Sequence, residues 1–519
     1  MTDLIYNFSE KCANMKKLAE KYHKNQTRKG DNKIPYIVHP EAVANKLLRW
    51  GEDISSLSVA MAWGHDLLED TTVSETEILD AGGKEVLVGI KMLTHSDTIS
   101  KDTYLKNIAA TAPRNVLLVK IADRISNSED FIPYKGKLHA YQYLHQADCL
   151  VQSLEKFTGD KTVENALLAW RKIDEKLRSA AQYESIRGCL LGGAVGDALG
   201  APIEFMSQRE IYKVYGDTVS DYMEFNDGTG AITDDTQMTL FTAEGILRAN
   251  VRGKEKGICC PESVVKFAYL RWLHTQGGKA DVPQEIINSG KLIQSKELFA
   301  ERAPGMTCIS ALLEPSLHAQ NNSKGCGTVM RLAPVGLFFD PQSAYEYGCK
   351  FSAITHGHPT GIIAGGAFAM LISYLRNGKS LSESLDLLEE FLQREPDAEE
   401  TLRAIRKARS AENIAKLGEG WVAEEALAIG IYCSLHHQWD FKSGVVQAVN
   451  ITGDSDSTGA ITGNILGVLN GEKGIPEKWR KNLREYDIVS EIADDLNTRF
   501  EAGTDGHVTE FWREKYPGF

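Results

Sequence analysis

The spacing of apolar side chains along the chain predicts helices almost throughout. In residues 4–22, apolar side chains recur every three or four positions, which is the pattern of a helix with one buried face. Comparable spacing predicts helices at residues 41–50, 57–69 and 116–127. The strict alternation of apolar and polar residues that marks a half-buried strand is scarce. The pattern therefore predicts an all-α protein.

A charged helical segment divides the chain into two parts. Residues 153–187 combine many charges with helical apolar spacing, which predicts one or two amphipathic helices. The chain has 519 residues, more than a single domain usually contains. We therefore predict a helical domain at residues 1–182 and a larger helical bundle at residues 184–519.

The second part opens with a stretch rich in small residues, 187–204. Small side chains let two helices approach closely. Gly192, Gly193 and Gly196 could suggest a phosphate-binding loop, but no Lys-Ser or Lys-Thr follows them and no strand precedes them. We therefore expect tight helix packing here.

The composition is that of a soluble globular protein. Hydrophobic residues make up 42% of the chain and charged residues 25%. No apolar run approaches the ~18 residues of a membrane span, and we see no signal peptide. The nine cysteines include no Cys-X-X-Cys pair, which favours a reducing compartment. We expect a cytoplasmic protein without a membrane partner.

The charge is unevenly distributed. Residues 1–180 contain 25 basic and 25 acidic residues, so the net charge of −13 lies entirely in the remainder. No basic surface is evident there, which argues against broad nucleic-acid binding. An acidic site could still bind an anionic ligand if metal ions neutralise it.

Two oxygen-rich clusters in the second part suggest a metal site. The clusters consist of Asp454, Asp456 and Ser457 within residues 453–459, and of Thr233, Asp234 and Asp235 within residues 233–236. Taken alone, an Asp-Ser pair more commonly caps a helix. Two such clusters facing each other would suit a pair of hard cations, Mg²⁺ or Mn²⁺, with a phosphorylated or ribosyl ligand between them.

Four potential metal ligands stand out in the first part. They are His39, His65, Asp66 and Asp123. Imidazoles and carboxylates on buried helices suit Mn²⁺, Fe or Zn, although a single buried histidine is more commonly a core residue. Glu69 and Asp70 follow one helical turn after the His-Asp pair and could orient and deprotonate a water.

The motifs of the first part have a specific resemblance. They are His23, Arg28-Lys29-Gly30, Pro35-Tyr36-Ile37-Val38-His39-Pro40, His65-Asp66-Leu67-Leu68-Glu69-Asp70, and Lys120-Ile121-Ala122-Asp123-Arg124 with Asn127. In order and approximate spacing, residues 1–182 resemble the HD-type hydrolase domain of the bifunctional guanosine tetraphosphate (ppGpp) synthetases/hydrolases and of the small stand-alone alarmone hydrolases.

This resemblance implies a site and a reaction. It implies that His39, His65, Asp66 and Asp123 bind one Mn²⁺, that Glu69 and Asp70 handle the attacking water, that Arg28 and Asn127 contact the nucleotide, and that Tyr36 shapes its pocket. The implied reaction is hydrolytic removal of the 3′-pyrophosphate from a (p)ppGpp-like nucleotide.

The second part resembles another family. Its motifs are Gly196-Asp197-Ala198-Leu199-Gly200-Ala201-Pro202-Ile203-Glu204, Thr233-Asp234-Asp235-Thr236, Gly325-Cys326-Gly327, Thr355-His356-Gly357, Gly418-Glu419-Gly420-Trp421 and Gly453-Asp454-Ser455-Asp456-Ser457. In this order they resemble the ADP-ribosylglycohydrolase family, including the dinitrogenase-reductase-activating glycohydrolases, over most of residues 184–475.

This second resemblance implies hydrolysis at the anomeric carbon of ADP-ribose. It implies that Thr233, Asp234, Asp235, Asp454, Asp456 and Ser457 bind two Mg²⁺ or Mn²⁺ ions, that Glu204 is catalytic with Asp197 supporting the site, and that Gly325, Cys326 and Gly327 line the ribose and phosphate pocket near His356. Ser457 stands where some members have threonine, which keeps the hydroxyl. For Trp421 we expect packing, and for Cys326 a pocket wall.

The two resemblances together predict a bifunctional metal-dependent hydrolase. Its expected partners are a small nucleotide substrate and an ADP-ribosylated protein or small molecule. The alternative is a toxin-neutralising or immunity protein in which one or both domains act as a sensor or a steric blocker. We expect residues 476–519, which carry several aromatics, to pack on the second domain.

Overall fold

The chain divides into two compact units, Met1–Ala181 and Gln182–Phe519. The structure is a computed structural model and describes residues 2–28, 31–54, 56–216, 218–225, 228–498 and 508–518. Lys29 and Gly30 of the predicted nucleotide motif, and Phe500 of the tail, lie outside these ranges. The described residues are predominantly helical, so the all-α prediction is confirmed.

The first unit contains ten helices and one short hairpin in its described residues. The helices are α1 (Thr2–Tyr22), α2 (Val38–Trp50), α3 (Leu57–Gly64), α4 (Leu67–Asp70), α5 (Glu75–Gly82), α6 (Lys84–Leu93), α7 (Lys101–Thr111), α8 (Arg114–His145), α9 (Asp148–Leu154) and α10 (Lys161–Gly200), which contains the boundary between the units. The antiparallel strands are β1 (Thr27–Arg28) and β2 (Asp31–Pro35).

Helix α3 lies at the centre of the first unit. Apart from Ser58 it is apolar, and every residue from Ser58 to Gly64 is buried, as expected for a helix enclosed by others. Its N-terminus is fixed by Ser56, whose hydroxyl accepts a hydrogen bond from the Val59 amide at 3.2 Å. The prediction of one helix at residues 57–69 is wrong, because α3 ends at Gly64 and α4 starts at Leu67. The break lies at His65 and Asp66, two of the predicted ligands.

The second unit continues with sixteen further helices and a second hairpin in its described residues. The helices are α11 (Gln208–Tyr215), α12 (Asp234–Lys256), α13 (Pro261–Thr275), α14 (Gln284–Ile287), α15 (Met306–Leu313), α16 (Ala333–Phe338), α17 (Pro341–Ser352), α18 (Pro359–Arg376), α19 (Leu381–Leu392), α20 (Glu399–Ser410), α21 (Ala423–His436), α22 (Phe441–Val449), α23 (Ser455–Gly474), α24 (Glu477–Asn482), α25 (Tyr486–Thr498) and α26 (Glu510–Lys515). The strands are β3 (Glu224–Phe225) and β4 (Gly228–Thr229), and short 3₁₀ turns include Ala201–Ile203 and Cys326–Thr328.

Helices α10 and α23 pack backbone to backbone through glycines. A Cβ atom on Gly188 would lie 2.2 Å from the carbonyl oxygen of Gly467, and one on Gly192 would lie 2.3 Å from that of Gly463. One on Gly196 would lie 2.0 Å from the oxygen of Gly459. The small-residue stretch therefore forms a tight helix contact. This contact brings the end of α10 beside the beginning of α23.

The C-terminal tail packs within the second unit, as expected. Tyr516 is fully buried, and its hydroxyl donates to Asp495 of α25. Lys515 forms ion pairs with Asp495 at 2.6 Å and Glu491 at 2.8 Å. These contacts tie α26 to α25.

No single helix in the described ranges is long and apolar enough to cross a membrane, whereas the pair formed by Lys161–Ile203 and Gln208–Tyr215, bent by 81°, passes that test jointly.

Candidate active sites

Two helix N-termini place the carboxylates of the second unit in one cavity. Thr233 is the N-cap of α12 and accepts from the Asp235 amide, while Asp454 is the N-cap of α23 and accepts from the Ser457 amide. The cavity has a volume of about 360 Å³. Its walls include Glu204, Asp234, Asp235, Asp454, Asp456 and Ser457. The two clusters predicted from sequence therefore cap helices and also meet.

Asp197 holds the first cluster in place. Its carboxylate accepts hydrogen bonds from the amide and hydroxyl of Thr233 at 2.9 Å and 2.8 Å, and from those of Thr236 at 3.1 Å and 2.5 Å. Burial, with the nearby charge of Asp456, raises the pKa of Asp197 to about 7. Asp197 and Thr233 are not among the residues that line the cavity.

The cavity brings together carboxylates that no basic side chain in the described ranges neutralises. Burial and neighbouring carboxylates raise the pKa of Asp234, Asp235 and Asp454 well above the usual range. No lysine or arginine in the described parts of the chain forms an ion pair with any of them, and the Oδ1 atom of Asp235 is buried without a hydrogen-bond partner there. Unpaired buried carboxylates are costly. The donor set, carboxylates with the Ser457 hydroxyl, therefore fits hard divalent cations.

Glu204 projects into the same cavity from a strained turn. It follows the 3₁₀ turn Ala201–Ile203, and the next residue, Phe205, has a φ of +69°. Burial, together with the charges of Asp456 and Asp454, raises the pKa of Glu204 to about 10. The Phe205 ring stacks on Trp421 with centroids 5.2 Å apart, and both rings line the cavity. Trp421 therefore packs, as predicted, and is also part of the cavity wall.

The Gly325–Gly327 turn and His356 form another wall. A Cβ atom on Gly325 would lie 3.3 Å from Nε2 of His356, and one on Gly327 would lie 3.1 Å from its Cε1. Backbone and imidazole therefore approach each other closely here. Burial raises the pKa of Cys326, so its thiol stays protonated and serves as a wall. Sequence analysis missed Met306, Thr307 and Cys308, which also line this cavity.

The four predicted ligands of the first unit converge at one point. His39 lies in α2, His65 and Asp66 at the break between α3 and α4, and Asp123 in α8. The Nε2 atoms of His39 and His65 are 3.2 Å apart. Nε2 of His39 is 3.2 Å from Asp123 Oδ1, and Nε2 of His65 is 3.1 Å from Asp66 Oδ2.

The orientation of the imidazoles fits a metal ion. Nδ1 of His65 is 2.7 Å from the carbonyl oxygen of Ala62 and donates to it, which leaves Nε2 to face the cluster as an acceptor. One ligand atom from each of His39, His65 and Asp123 lies within 4.8 Å of the others, and all three residues are buried. Two imidazole nitrogens that face each other beside carboxylates share one cation more readily than they hydrogen-bond to each other.

The remaining predicted residues of the first unit surround this cluster. The Tyr36 hydroxyl is 2.7 Å from Asp66 Oδ2 and 2.8 Å from Asp70 Oδ2. Asn127 donates to Asp123 at 2.6 Å and accepts from Arg28 at 2.7 Å, so the structure brings these residues together. Glu69 is turned elsewhere, because its carboxylate accepts from the amide of His95 at 3.0 Å.

Sequence analysis gave no role to the basic side chains beside this cluster, although Lys120 and Arg124 are part of the Asp123 motif, and it missed Lys101. Lys120 is buried with its Nζ 3.1 Å from Asp123 Oδ2. Burial, with the nearby charges of Arg124 and Lys120, lowers the pKa of Lys101 to about 8. The only sequence signal was the proximity of Lys120 and Arg124 to Asp123. These side chains place positive charge next to the four ligands.

The helical fold and the carboxylate cavity define the class of the second unit, an all-helical unit with a buried acidic site. The chain belongs to the ADP-ribosylglycohydrolase family, whose model matches residues 178–505. It is 32% identical over 334 residues to an uncharacterized protein of Archaeoglobus fulgidus, covering 60% of this chain and 96% of the relative. It is 25% identical over 310 residues to the ADP-ribosyl-[dinitrogen reductase] glycohydrolase of Rhodospirillum rubrum, covering 58% of this chain and 90% of the relative.

A third relative matches a shorter stretch. It is the probable GTP pyrophosphokinase of Mycobacterium leprae, 36% identical over 118 residues. The match covers 21% of this chain and 14% of that protein.

Proposed function

We propose that the second unit hydrolyses the bond between ADP-ribose and an acceptor group. The observation that carries this proposal is the single cavity in which Glu204 faces the carboxylates of Asp234, Asp235, Asp454 and Asp456. Family membership supports it. The orphaned Oδ1 atom of Asp235 supports a role for that residue as a metal ligand.

The carboxylates of both clusters and the Ser457 hydroxyl would hold two Mg²⁺ or Mn²⁺ ions, with Thr233 positioned by Asp197. When bound, the ions polarise ribose hydroxyls and water. The charge of the bound ions would lower the pKa of Glu204, and its carboxylate would then take a proton from the water that attacks the anomeric carbon. The bond from that carbon to the acceptor atom breaks, and the acceptor leaves with the proton. The Gly325–Gly327 turn and His356 would bind the ribose and phosphate groups.

The test is turnover of defined substrates with Mg²⁺ or Mn²⁺. Arg-linked, Ser-linked and ester-linked ADP-ribose would be incubated with the full chain and products followed by chromatography. Release of ADP-ribose should fall at least about 100-fold in Glu204→Gln and in Asp235→Asn. Asp221→Asn, at an exposed carboxylate paired with Lys478, is the control and should retain activity. Full turnover by Glu204→Gln would contradict the proposed role of that residue.

We propose a second activity for the first unit, hydrolysis of the 3′-pyrophosphate of a (p)ppGpp-like nucleotide. It is favoured by the convergence of His39, His65, Asp66 and Asp123, with two imidazole Nε2 atoms 3.2 Å apart. The partial match to a probable GTP pyrophosphokinase also supports it. One Mn²⁺ at this cluster would polarise the phosphate and the attacking water.

The chain's own residues would complete this reaction. Asp70, linked to Asp66 through the Tyr36 hydroxyl, would take a proton from the attacking water. Glu69, to which the resemblance gives the same role, would first have to release the hydrogen bond that it accepts from the His95 amide. Water adds to the phosphorus next to the 3′ oxygen, that P–O bond breaks, and the 3′ oxygen leaves as a hydroxyl. Arg28 and Asn127 would contact the nucleotide.

A second substrate panel separates the two sites. It would contain ppGpp, pppGpp, ppApp and NADPH. Asp66→Asn should abolish turnover of this panel and leave release of ADP-ribose intact, while Asp235→Asn should do the reverse. Binding without turnover on both panels would favour the alternative of a toxin-neutralising or sensor protein.

All nine cysteines are free, which supports a cytoplasmic location for the protein.

A further inference from the structure

Arg331 is a buried cation without an acidic partner. Its side chain is fully buried, and no carboxylate in the described parts of the chain lies within ion-pair distance of it. Its guanidinium lies 4.7 Å from the ring centroid of Tyr269. Its NH2 group donates to the Thr355 hydroxyl at 2.6 Å and to the carbonyl of Phe351 at 3.3 Å. Burying an unpaired charge is costly, so such a residue is expected to have a specific task.

The Thr355 hydroxyl connects this cation to the cavity. Thr355 Oγ1 is also 2.8 Å from Nδ1 of His356, whose ring lines the cavity. A guanidinium has only donors, so Oγ1 must accept from Arg331. The single hydroxyl hydrogen is then free to point at Nδ1. The thiol of Cys308, which also contacts Arg331, competes poorly for this hydroxyl hydrogen, because it is a weaker acceptor than an imidazole nitrogen.

The direction of these hydrogen bonds favours one imidazole tautomer. If Nδ1 accepts, the proton of the neutral ring must be on Nε2. Nε2 makes no hydrogen bond to any residue in the described ranges and lies beside the Gly325 backbone, where a Cβ atom would be 3.3 Å away. Burial and the charge of Arg331 lower the pKa of His356 to about 3, so the ring stays neutral.

We infer that Arg331 and Thr355 are positioning residues, which hold His356 as the Nε2–H tautomer so that it donates a hydrogen bond to an oxygen of the bound ADP-ribosyl group. This inference rests on the proposed function of the second unit. It assigns His356 the role of a neutral donor, in a cavity whose other polar side chains are mainly carboxylates. This donor would recognise an oxygen of the ribose or the diphosphate, because such an oxygen can accept from an N–H group.

The first test is the tautomer itself. The full chain, loaded with Mg²⁺ and labelled with ¹⁵N at histidine, would be studied by long-range ¹H–¹⁵N correlation, with His356 assigned from its loss in His356→Gln. We expect a pyridine-like Nδ1 and a pyrrole-like Nε2, unchanged between pH 5.5 and pH 8.5. A protonated Nδ1, or a ring that titrates in this range, would overturn the inference.

The second test removes the connecting hydroxyl. Thr355→Val should shift the tautomer of His356 and weaken ADP-ribose binding about tenfold by calorimetry. Thr355→Ser, which keeps the hydroxyl, should restore both properties. Unchanged tautomer and affinity in Thr355→Val would refute the positioning role. The NMR spectrum is recorded without substrate and therefore tests the tautomer independently of turnover. If the expected tautomer is seen but no substrate is hydrolysed, the proposed function fails and the tautomer assignment stands.

Discussion

Phe205 adopts a left-handed backbone conformation directly after Glu204. A φ of +69° costs a residue with a Cβ about 1–2 kcal/mol. Stacking on Trp421 is worth about 0.5–1.5 kcal/mol in a buried pair, but the Phe205 side chain is 69% exposed. The stack therefore offsets only part of the strain. The backbone conformation of Phe205, the residue next to Glu204, is therefore unfavourable in free energy.

This strain can be measured by comparing two substitutions at Phe205. Both Phe205→Ala and Phe205→Gly lose the stack, but only glycine adopts positive φ without a steric cost. We expect Phe205→Gly to be more stable than Phe205→Ala by about 1 kcal/mol in urea unfolding, the reverse of the usual order. Met306→Ala, at a cavity residue that is 75% exposed, is the control and should change stability little. An alanine variant at least as stable as the glycine variant would argue against strain.

His145 in the first unit predicts a pH dependence of stability. Its Nδ1 is 3.0 Å from Asp148 and its Nε2 is 2.9 Å from Asp174. Burial opposes the charged ring, but the two carboxylates raise its pKa to about 9. His145 therefore contributes fully to the stability of the first unit below its unfolded pKa of about 6.5, and this contribution is lost as pH rises through about 9.

The pKa shift of His145 adds at most about 3 kcal/mol to the free energy of unfolding. We expect the stability difference between wild type and His145→Gln to shrink between pH 6 and pH 9.5, as measured by urea unfolding. His318→Gln, at a half-exposed ring, is the control and should show no such change. A difference that grows with pH would contradict the assignment.

Site residues could be predicted where chemistry is concentrated in short motifs. His65 and Asp66 are adjacent, as are Asp234 and Asp235, so the metal-type clusters were evident from sequence. Thr355 and Arg331 are 24 residues apart, and Phe205 and Trp421 are stacked across more than 200 residues. Such pairs depend on tertiary packing, which spacing along the chain does not encode. Which residues cluster in short motifs was therefore more accessible from sequence than which distant residues are in contact.

At the scale of elements, the density of glycine in α10 predicted a close helix contact but not its partner. α23 is 250 residues further along the chain, and its glycines at positions 459, 463 and 467 face those of α10. The break between α3 and α4 was also missed. The apolar spacing continues through residues 57–69 and therefore predicted one helix, although Gly64, His65 and Asp66 at the break all have low helix propensity.

The α10–α23 contact predicts a large cost for one added methyl group. In Gly192→Ala the new Cβ would lie 2.3 Å from the Gly463 carbonyl oxygen, so two helix backbones must separate. We expect a loss of about 2–3 kcal/mol of stability in urea unfolding. Gly253→Ala in α12 is the matched control, because its Cβ would meet no atom closer than 3.9 Å. That variant should be stabilised by up to about 1 kcal/mol through helix propensity. Equal stability of the two variants would refute the contact.

At the scale of the whole molecule, the fold class and the uneven charge were predictable, because both follow from summed patterns. The excess negative charge lies beyond residue 180, and part of it lines the carboxylate cavity of the second unit. The arrangement of the twenty-six described helices was not predictable from one sequence. It depends on which apolar faces meet, and many faces have similar composition.

The two clusters predict that metal ions stabilise the two units separately. A ligand at about 100 times its Kd stabilises by about 2.7 kcal/mol, which is roughly 7 °C for the first unit and roughly 4 °C for the larger second unit. We expect Mn²⁺ to raise the unfolding temperature in calorimetry. Asp66→Asn should remove the first unit's share of that shift, because it breaks the cluster formed with His39, His65 and Asp123. Asp235→Asn should remove the second unit's share.

Asp221→Asn provides the control, since its carboxylate is paired with Lys478 outside both clusters. It should retain both shifts, whereas chelation with EDTA should abolish both in wild type. If either Asp66→Asn or Asp235→Asn removed the whole effect, the two clusters would not be independent metal sites. If Mn²⁺ and Mg²⁺ shifted neither transition, the buried carboxylates of Asp234, Asp235 and Asp454 would require another neutralising partner, and both hydrolase proposals would fail together.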